Sequence, residues 1–389
     1  MGEINIEKYT CPICGNQDEK YFGIRNGKIY CRRCISFRGE TVSEYKPRSG
    51  HVAMNIKYPL SKEQSEIANK VKDNFLNGID TLIDAVCGAG KTELIYEVMG
   101  AALSRGKTVA FAVPRRDVVI ELLPRIKSVF PTNSITAVYG GHTSKLKADI
   151  VVLTTHQLYR YPHVFNLIIL DEIDAFPFKD NDLLLAMLHN ASRGRVVMMS
   201  ATPSDDVLRE FSQDGHDILH LNTRFHHKPL PVPQLIIRYG YLKLITLIRK
   251  LGEFLVQNKP VFVFCPTIDI AEKVFGVINK TNRNGNIVHS KKSDRSQIIE
   301  DFKNGKYAYL VTTAVLERGV TIKNLQVIIY EADHDLYDEH ALIQISGRVG
   351  RKFDAPEGEV IFLADKNTEA IRRTISTIED KNKSLQNMF

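Results

Sequence analysis

Residues Ala85–Glu93 read AVCGAGKTE. Gly88 and Gly90 free the backbone to turn its N–H groups toward an anion, Lys91 follows to neutralise phosphate charge, and Thr92 brings a hydroxyl suited to Mg²⁺. Val86, Cys87 and Ala89 complete the cradle, Cys87 as a small loop residue and not a nucleophile. Ala85 stands where such loops usually carry their first glycine, and a small residue suffices there. Further on, LIILDEID ends an apolar run in Asp171 and Glu172. A carboxylate at a strand tip can hold Mg²⁺ through water, and its neighbour can orient and deprotonate an attacking water. A third group lies near the other end of the chain, in QISGRVGRK (Gln344–Lys352). Arg348 and Arg351 are expected to share one helical face, where two guanidinium groups would stabilise charge developing on a transferred phosphoryl group, with Gln344 helping to position the site. Together these residues point to hydrolysis of a nucleoside triphosphate with Mg²⁺. The arginines belong to a separate half of the chain, which predicts a cleft between two halves.

A different chemistry stands at the N-terminus. Cys11, Cys14, Cys31 and Cys34 form two CxxC pairs in the spacing of a structural zinc ribbon, four soft ligands for one tetrahedral ion. So short a segment cannot bury enough apolar surface to fold alone, and the metal would supply what is missing. Two unrelated redox-active pairs are the alternative reading. Lys20, Arg25, Lys28, Arg32, Arg33 and Arg38 are interleaved with Tyr21, Phe22, Tyr30 and Phe37. That mixture suits stacking on bases beside a phosphate backbone, or else its aromatics are simply the ribbon's core.

These groups need a frame. DTLIDAV, TVAFAVP, DIVVLTT, FNLIILDE and RVVMMSAT read as buried strands with helical stretches between several of them, the pattern of a parallel sheet covered by helices. ELIYEVMGAALSRG is expected to be a helix stopped by Gly106. Prolines at 229, 231 and 233 break the rhythm, and His226 and His227 beside them read as solvated connector residues. The α/β pattern then resumes through PVFVFCP, NIVHS, YAYLVTT, LQVIIYEAD and GEVIFLAD, without a phosphate loop of its own. A closing helix carries Ile371, Ile375 and Ile378 on one stripe. The expected organisation is a four-cysteine zinc-binding domain over 1–45 and two α/β domains over 46–222 and 223–389.

With 389 residues, 43% hydrophobic and 25% charged, the chain has the composition of an ordinary globular protein. Its net charge of +7 permits a polyanionic partner without requiring one. No secretory signal is read at the N-terminus, and no apolar run approaches the ~18 residues of a membrane span. The expectation is a cytoplasmic protein whose membrane contact, if any, is peripheral.

The motif set resembles that of the superfamily-two helicases and translocases over nearly all of residues 55–365. The resemblance implies two tandem RecA-like domains with parallel sheets. Gln64 in YPLSKEQ looks like the adenine-reading glutamine. AVPRRDVVIEL and LTTHQLYRY look like nucleic-acid-contacting motifs, which implies backbone contacts from Arg115, Thr154, Thr155 and His156, and from Thr312 in the second half. SATP (Ser200–Pro203) looks like the motif that couples hydrolysis to closure. VTTAVLERGVTI looks like the fifth motif, with Glu317 and Arg318 near the nucleotide. DEID and QISGRVGR depart from the DEAD and HRIGR of typical RNA helicases and resemble DNA motors. With the ribbon, DEIDAFPF and HHKPLPVP, the chain is similar to the ComFA family of late competence proteins. That family implies an ATPase using ATP, Mg²⁺ and Zn²⁺ that drives single-stranded DNA inward during natural transformation, at the inner face of the cell membrane. Its implied partners are the DNA-uptake channel, a companion late competence protein and the recombination mediator. Two other readings stay open: a duplex-unwinding DNA or RNA helicase, and an ATP-gated clamp that recruits partners through the zinc domain.

Overall fold

The computed structural model describes residues 9–386 apart from 48, 175, 176, 179, 180, 225, 227, 314, 315 and 317–320. They divide into two compact units. One comprises the described residues through Ala85 together with Gly90–Leu221; the other comprises Val86–Ala89 and the described residues from Asn222 onward.

The first unit opens with an antiparallel hairpin, β1 (Phe22–Arg25) and β2 (Lys28–Cys31). Asn26 and Gly27 both have positive φ, as a two-residue Asn-Gly turn requires. Helix α1 (Lys62–Asn77) starts in a capping box between Ser61 and Gln64 and stops at Gly78 in the left-handed conformation. The chain then runs through β3 (Asp80–Ala85), α2 (Lys91–Leu94), α3 (Tyr96–Ser104), β4 (Val109–Val113), α4 (Arg116–Val129), β5 (Ile135–Val138) and β6 (Ile150–Thr154). A 3₁₀ turn over Thr155–Arg160 leads to β7 (Phe165–Asp171), α5 (Asp182–Ala191), β8 (Ser192–Ser200), α6 (Asp205–Phe211) and β9 (His216–Leu221).

The seven strands form one parallel sheet in the order β5-β6-β4-β7-β8-β3-β9. Every residue of β4 and β6 is buried, which is why these segments read as unbroken apolar runs. Strands β5 and β9, which the sequence reading passed over, occupy the two edges. The helix expected over ELIYEVMGAALSRG divides at Ile95 into α2 and α3.

In the second unit β10 (Gln234–Ile237), α7 (Tyr241–Val256), β11 (Val261–Phe264), α8 (Ile268–Thr281), β12 (Gly285–Val288), α9 (Arg295–Lys303), β13 (Tyr309–Thr312), β14 (Gln326–Tyr330), α10 (Glu339–Ser346), β15 (Val360–Ala364) and α11 (Glu369–Gln386) follow in order. Its six-stranded sheet is also parallel, ordered β10-β15-β14-β11-β13-β12. Ile371 and Ile378 of α11 are buried in its core and Ile375 packs against that core, as the stripe predicted.

Candidate functional site

In an open parallel sheet, chemistry collects at the carboxyl ends of the strands. In the first unit those ends sort by position along the sheet. The loops after β3, β7 and β8 carry the phosphate-loop, DEID and SATP residues; the loops after β4 and β6, on the other side of the order, carry the residues compared with nucleic-acid contacts.

The phosphate loop leaves β3 at Ala85 and enters α2 at Lys91. Gly88 and Gly90 have φ of 83° and 79°, so both need the left-handed conformation. A Cβ on Gly90 would lie 2.7 Å from Gln64 Nε2. Gln64 is buried against the last glycine of the loop, its Oε1 accepting the Ser61 N–H at 2.9 Å. Lys91 Nζ donates to the Ala85 carbonyl at 2.9 Å, which draws the ammonium across the loop, and Thr92 is half-buried beside it.

Asp171 ends β7. Burial, then the neighbouring Glu172 charge, push its carboxyl up to about 7, while Lys91 pulls the other way. Glu172 is held at φ 58°, a region that costs a non-glycine residue roughly 1–3 kcal/mol, and its N–H donates to Asp171 Oδ1 at 2.9 Å. Two crowded carboxylates beside a hydroxyl-bearing loop are a donor set that a divalent cation relieves, so Asp171 and Thr92 fit Mg²⁺.

Asp174 was missed by the sequence reading. It is buried and accepts Ser200 Oγ at 2.8 Å and Thr202 Oγ1 at 3.2 Å, and the Thr202 N–H donates to Ser200 Oγ at 2.9 Å. DEID and SATP are thus one hydrogen-bonded assembly. The signal available was the last acid of DEID, three residues after Asp171.

On the other half of the edge, Arg115 caps α4 and is half-buried. The exposed Arg116 lies over the Tyr139 ring at 5.0 Å, and Tyr139 stacks on His142 at 4.9 Å across a tight turn through Gly140 and Gly141. This aromatic turn was also missed, although two glycines between aromatic rings after an apolar run mark it. Thr154 and Thr155 are buried, and Thr155 Oγ1 has no hydrogen-bond partner among the described residues. His156 is half-buried, its pKa lowered by that burial. Thr312, like Thr155, is fully buried, and its hydroxyl donates to the Val288 carbonyl at 2.9 Å and lies 3.1 Å from that of Thr313. It presents no hydroxyl at the surface here. Glu317 and Arg318 lie outside the described residues.

The arginine pair also differs from expectation. Helix α10 ends at Ser346, capped by Gly347, so Arg348 sits in the turn that follows and Arg351 just past it, neither on a helical face. Arg348 and Gln344 are buried. Arg351 Nε donates to the Gly347 carbonyl at 2.8 Å. Arg224, fully buried, donates through Nη1 to the Val349 and Gly350 carbonyls at 2.9 and 3.0 Å. Burial, then the Arg351 charge, lower its pKa to about 10. His226 Nε2 lies 2.8 Å from the Gly350 carbonyl. His226 is therefore a bonded residue and not a solvated connector; His227 lies outside the described residues.

The four cysteines are brought together as expected. All are buried and none is in a disulfide, and their sulfurs lie within 4.8 Å of one another. Cys11 and Cys34 are 3.4 Å apart, Cys14 and Cys31 3.8 Å. A tetrahedral zinc with bonds of about 2.3 Å sets sulfurs roughly 3.8 Å apart, so the cluster fits that ion. Hydrogen bonds with Cys14 and Cys34 hold the Cys11 thiol well below its usual range, and bonds with Cys11 and Cys14 push Cys34 up. Four thiolates can coexist there only around a cation.

Comparison with known proteins matches the DEAD/DEAH box helicase family over residues 63–211 and the helicase conserved C-terminal domain over residues 243–353. Competence protein ComFA of Bacillus subtilis (strain 168) is 32% identical over 97% of this chain and 87% of its own length. Competence protein ComFA of Streptococcus pneumoniae (strain ATCC BAA-255 / R6) is 31% identical over 97% of this chain and 91% of its own. Among solved structures, S. cerevisiae Dbp5 bound to RNA and ADP BeF3 superposes with a TM-score of 0.63 at 18% identity, covering 83% of this chain and 91% of that one. That likeness shows the fold: tandem RecA-like domains with parallel sheets.

Proposed function

The chain belongs to the ComFA family of competence proteins and is an ATP-hydrolysing enzyme of the helicase type; from that premise we propose that it moves along single-stranded DNA during DNA uptake. The observation that carries this reading is the division of the first unit's strand ends into a phosphate-and-carboxylate half and a basic, aromatic half. One parallel sheet then links nucleotide to strand.

In this reading the backbone from Ala85 to Gly90 wraps the phosphates, Lys91 neutralises them and Gln64 faces the adenine. Mg²⁺, when bound, would be held by Asp171 and Thr92 and would neutralise charge on the phosphate oxygens. Glu172 takes the proton of the attacking water. Arg348 and Arg351, positioned with Gln344, stabilise the charge that develops, and Glu317 and Arg318 assist at the nucleotide. Arg115, Thr154, Thr155 and His156 line the strand path of the first unit, joined by Arg116, Tyr139 and His142. Contacts of this kind hold a strand without reading its sequence. Among the described residues no helix is long and apolar enough to cross a membrane. The uptake channel, companion late competence protein and recombination mediator are proposed partners from family membership, with action at the cytoplasmic face of the membrane.

ATP hydrolysis measured with no nucleic acid, single-stranded DNA, duplex DNA and RNA tests the proposal, with Lys91→Ala as the inactive control. Stimulation strongest with single-stranded DNA is expected. Equal rates under all four conditions would favour the ATP-gated clamp, and ATP-dependent separation of a forked duplex would favour an unwinding helicase.

A further inference from the structure

The 3₁₀ turn Thr155–Arg160 carries two of the residues proposed to meet the strand, and it is gripped by the segment that leaves the four-cysteine cluster. Residues 38–42 form no strand or helix, so their backbone groups need partners from elsewhere. The turn provides them. Tyr159 Oη donates to the Arg38 carbonyl at 2.6 Å, Arg160 Nη1 donates to the Glu40 carbonyl at 2.8 Å, and the Val42 N–H donates to the Arg160 carbonyl at 2.6 Å. The Arg160 guanidinium is itself held by Gln157 Oε1 at 2.6 Å and lies over the Tyr159 ring at 4.9 Å.

Gly39 sits in the middle of this grip. Its φ is 145°, and a Cβ there would lie 2.5 Å from Arg160 Nη1 and 2.9 Å from Tyr159 Oη. A side chain at position 39 is thus strained by conformation and would push the Arg160 and Tyr159 tips out of the grip. Nearer the tip of the turn, Phe37 stacks on His156 with centroids 6.1 Å apart and planes at 19°. On the far side of the cluster, Asn190 Nδ2 of α5 donates to the Pro12 and Ile13 carbonyls at 2.8 and 3.1 Å, anchoring the first CxxC knuckle to the same unit.

We infer that Gly39, Tyr159 and Arg160 are positioning residues that fasten the four-cysteine module to the 3₁₀ turn, so that the module sets where Thr155 and His156 stand. This rests on the single-stranded DNA reading of the turn. Zinc, by organising residues 11–34, would then support strand binding through the strap at 38–42, apart from any contact the ribbon's own arginines make.

The test compares the zinc-loaded full chain with its Gly39→Val and Tyr159→Phe variants. It reads zinc stoichiometry, hydrogen exchange at residues 155–160, affinity for a fluorescent oligothymidylate, and ATP turnover without nucleic acid. Gly39→Val is expected to keep its zinc and its nucleic-acid-free turnover, to raise exchange at 155–160, and to weaken oligothymidylate binding about tenfold. Tyr159→Phe, which removes one hydrogen bond and little packing, should move exchange and affinity the same way by about fivefold. If Gly39→Val loses its zinc, Tyr159→Phe decides. Unchanged exchange in the variants overturns the fastening, and raised exchange with unchanged oligothymidylate affinity overturns the positioning role. Failure of the wild-type chain to bind oligothymidylate sinks the single-stranded DNA reading instead, while exchange at 155–160 still decides whether the strap holds the turn.

Discussion

Each unit places a glutamate in the left-handed conformation directly after a strand of its parallel sheet: Glu172 at φ 58° after β7, and Glu331 at φ 55° after β14. The backbone device is shared and the charge environment is not. Glu172 stands beside Asp171, whose carboxyl is pushed up by burial and by that neighbour. Glu331 instead faces Lys243, a buried lysine of α7 whose Nζ lies 3.7 Å from Glu331 Oε1 and 2.9 Å from Asp365 Oδ2. The second unit neutralises its strand-end acids internally. The first leaves them crowded beside a phosphate loop. The sheet fixes where a carboxylate stands, and the cation supplied to it decides whether it is structural or catalytic.

Substitutions should separate the two acids. Glu172→Gln should lower ATP turnover about a thousandfold while leaving the midpoint of thermal unfolding unchanged, because it removes a proton acceptor and little packing. Arg351→Ala should cost about a hundredfold in kcat with nucleotide affinity largely kept, measured by steady-state turnover alongside binding of a fluorescent nucleotide. Arg224→Lys keeps the charge but cannot bond the Cys87 carbonyl, which Nε reaches at 3.2 Å, together with the Val349 and Gly350 carbonyls held by Nη1. It should lower kcat about tenfold with little change in KM.

The stability side of the comparison is smaller. Lys243→Met leaves Glu331 and Asp365 without their cation. Both acids are partly solvated, so the expected loss is about 1–2 kcal/mol by chemical denaturation, with ATP turnover of the surviving folded protein unchanged. A catalytic collapse in Lys243→Met would erase the distinction between the two units.

What the sequence revealed, and what it hid, follows the same line. The phosphate loop, DEID and the two CxxC pairs were legible because their chemistry needs particular residues at short spacings. The central strands were legible because burial on both faces leaves unbroken apolar runs. Edge strands β5, β9 and β10 are short or only partly buried, and their patterns were too weak to separate from loop. The Asp174–Ser200–Thr202 assembly, the hold of Arg224 and His226 on the turn at Val349–Gly350, and the grip of Tyr159 and Arg160 on the strap all join residues far apart in sequence. No local pattern announces them. The helical face assigned to Arg348 and Arg351 failed because Gly347 caps α10 before either arginine is reached.

The smallest expected effect concerns pH. Burial lowers the pKa of His156, so the unfolded chain binds a proton there more readily than the folded one. Stability from this group is present above the ordinary histidine value and is lost as pH falls through the unfolded and then the folded pKa. His156 is only half-buried, so the loss should stay under about 1 kcal/mol between pH 7 and pH 5 and should vanish in His156→Gln, compared by urea denaturation at the two pH values.

The central claim is movement on a single strand driven by ATP. Its most direct measurement is displacement of streptavidin from the end of a biotinylated single-stranded oligonucleotide. ATP-dependent displacement from one end, absent in Lys91→Ala, is the predicted result. ATP hydrolysis stimulated by the oligonucleotide but without displacement from either end would contradict translocation and leave the chain a nucleic-acid-gated clamp.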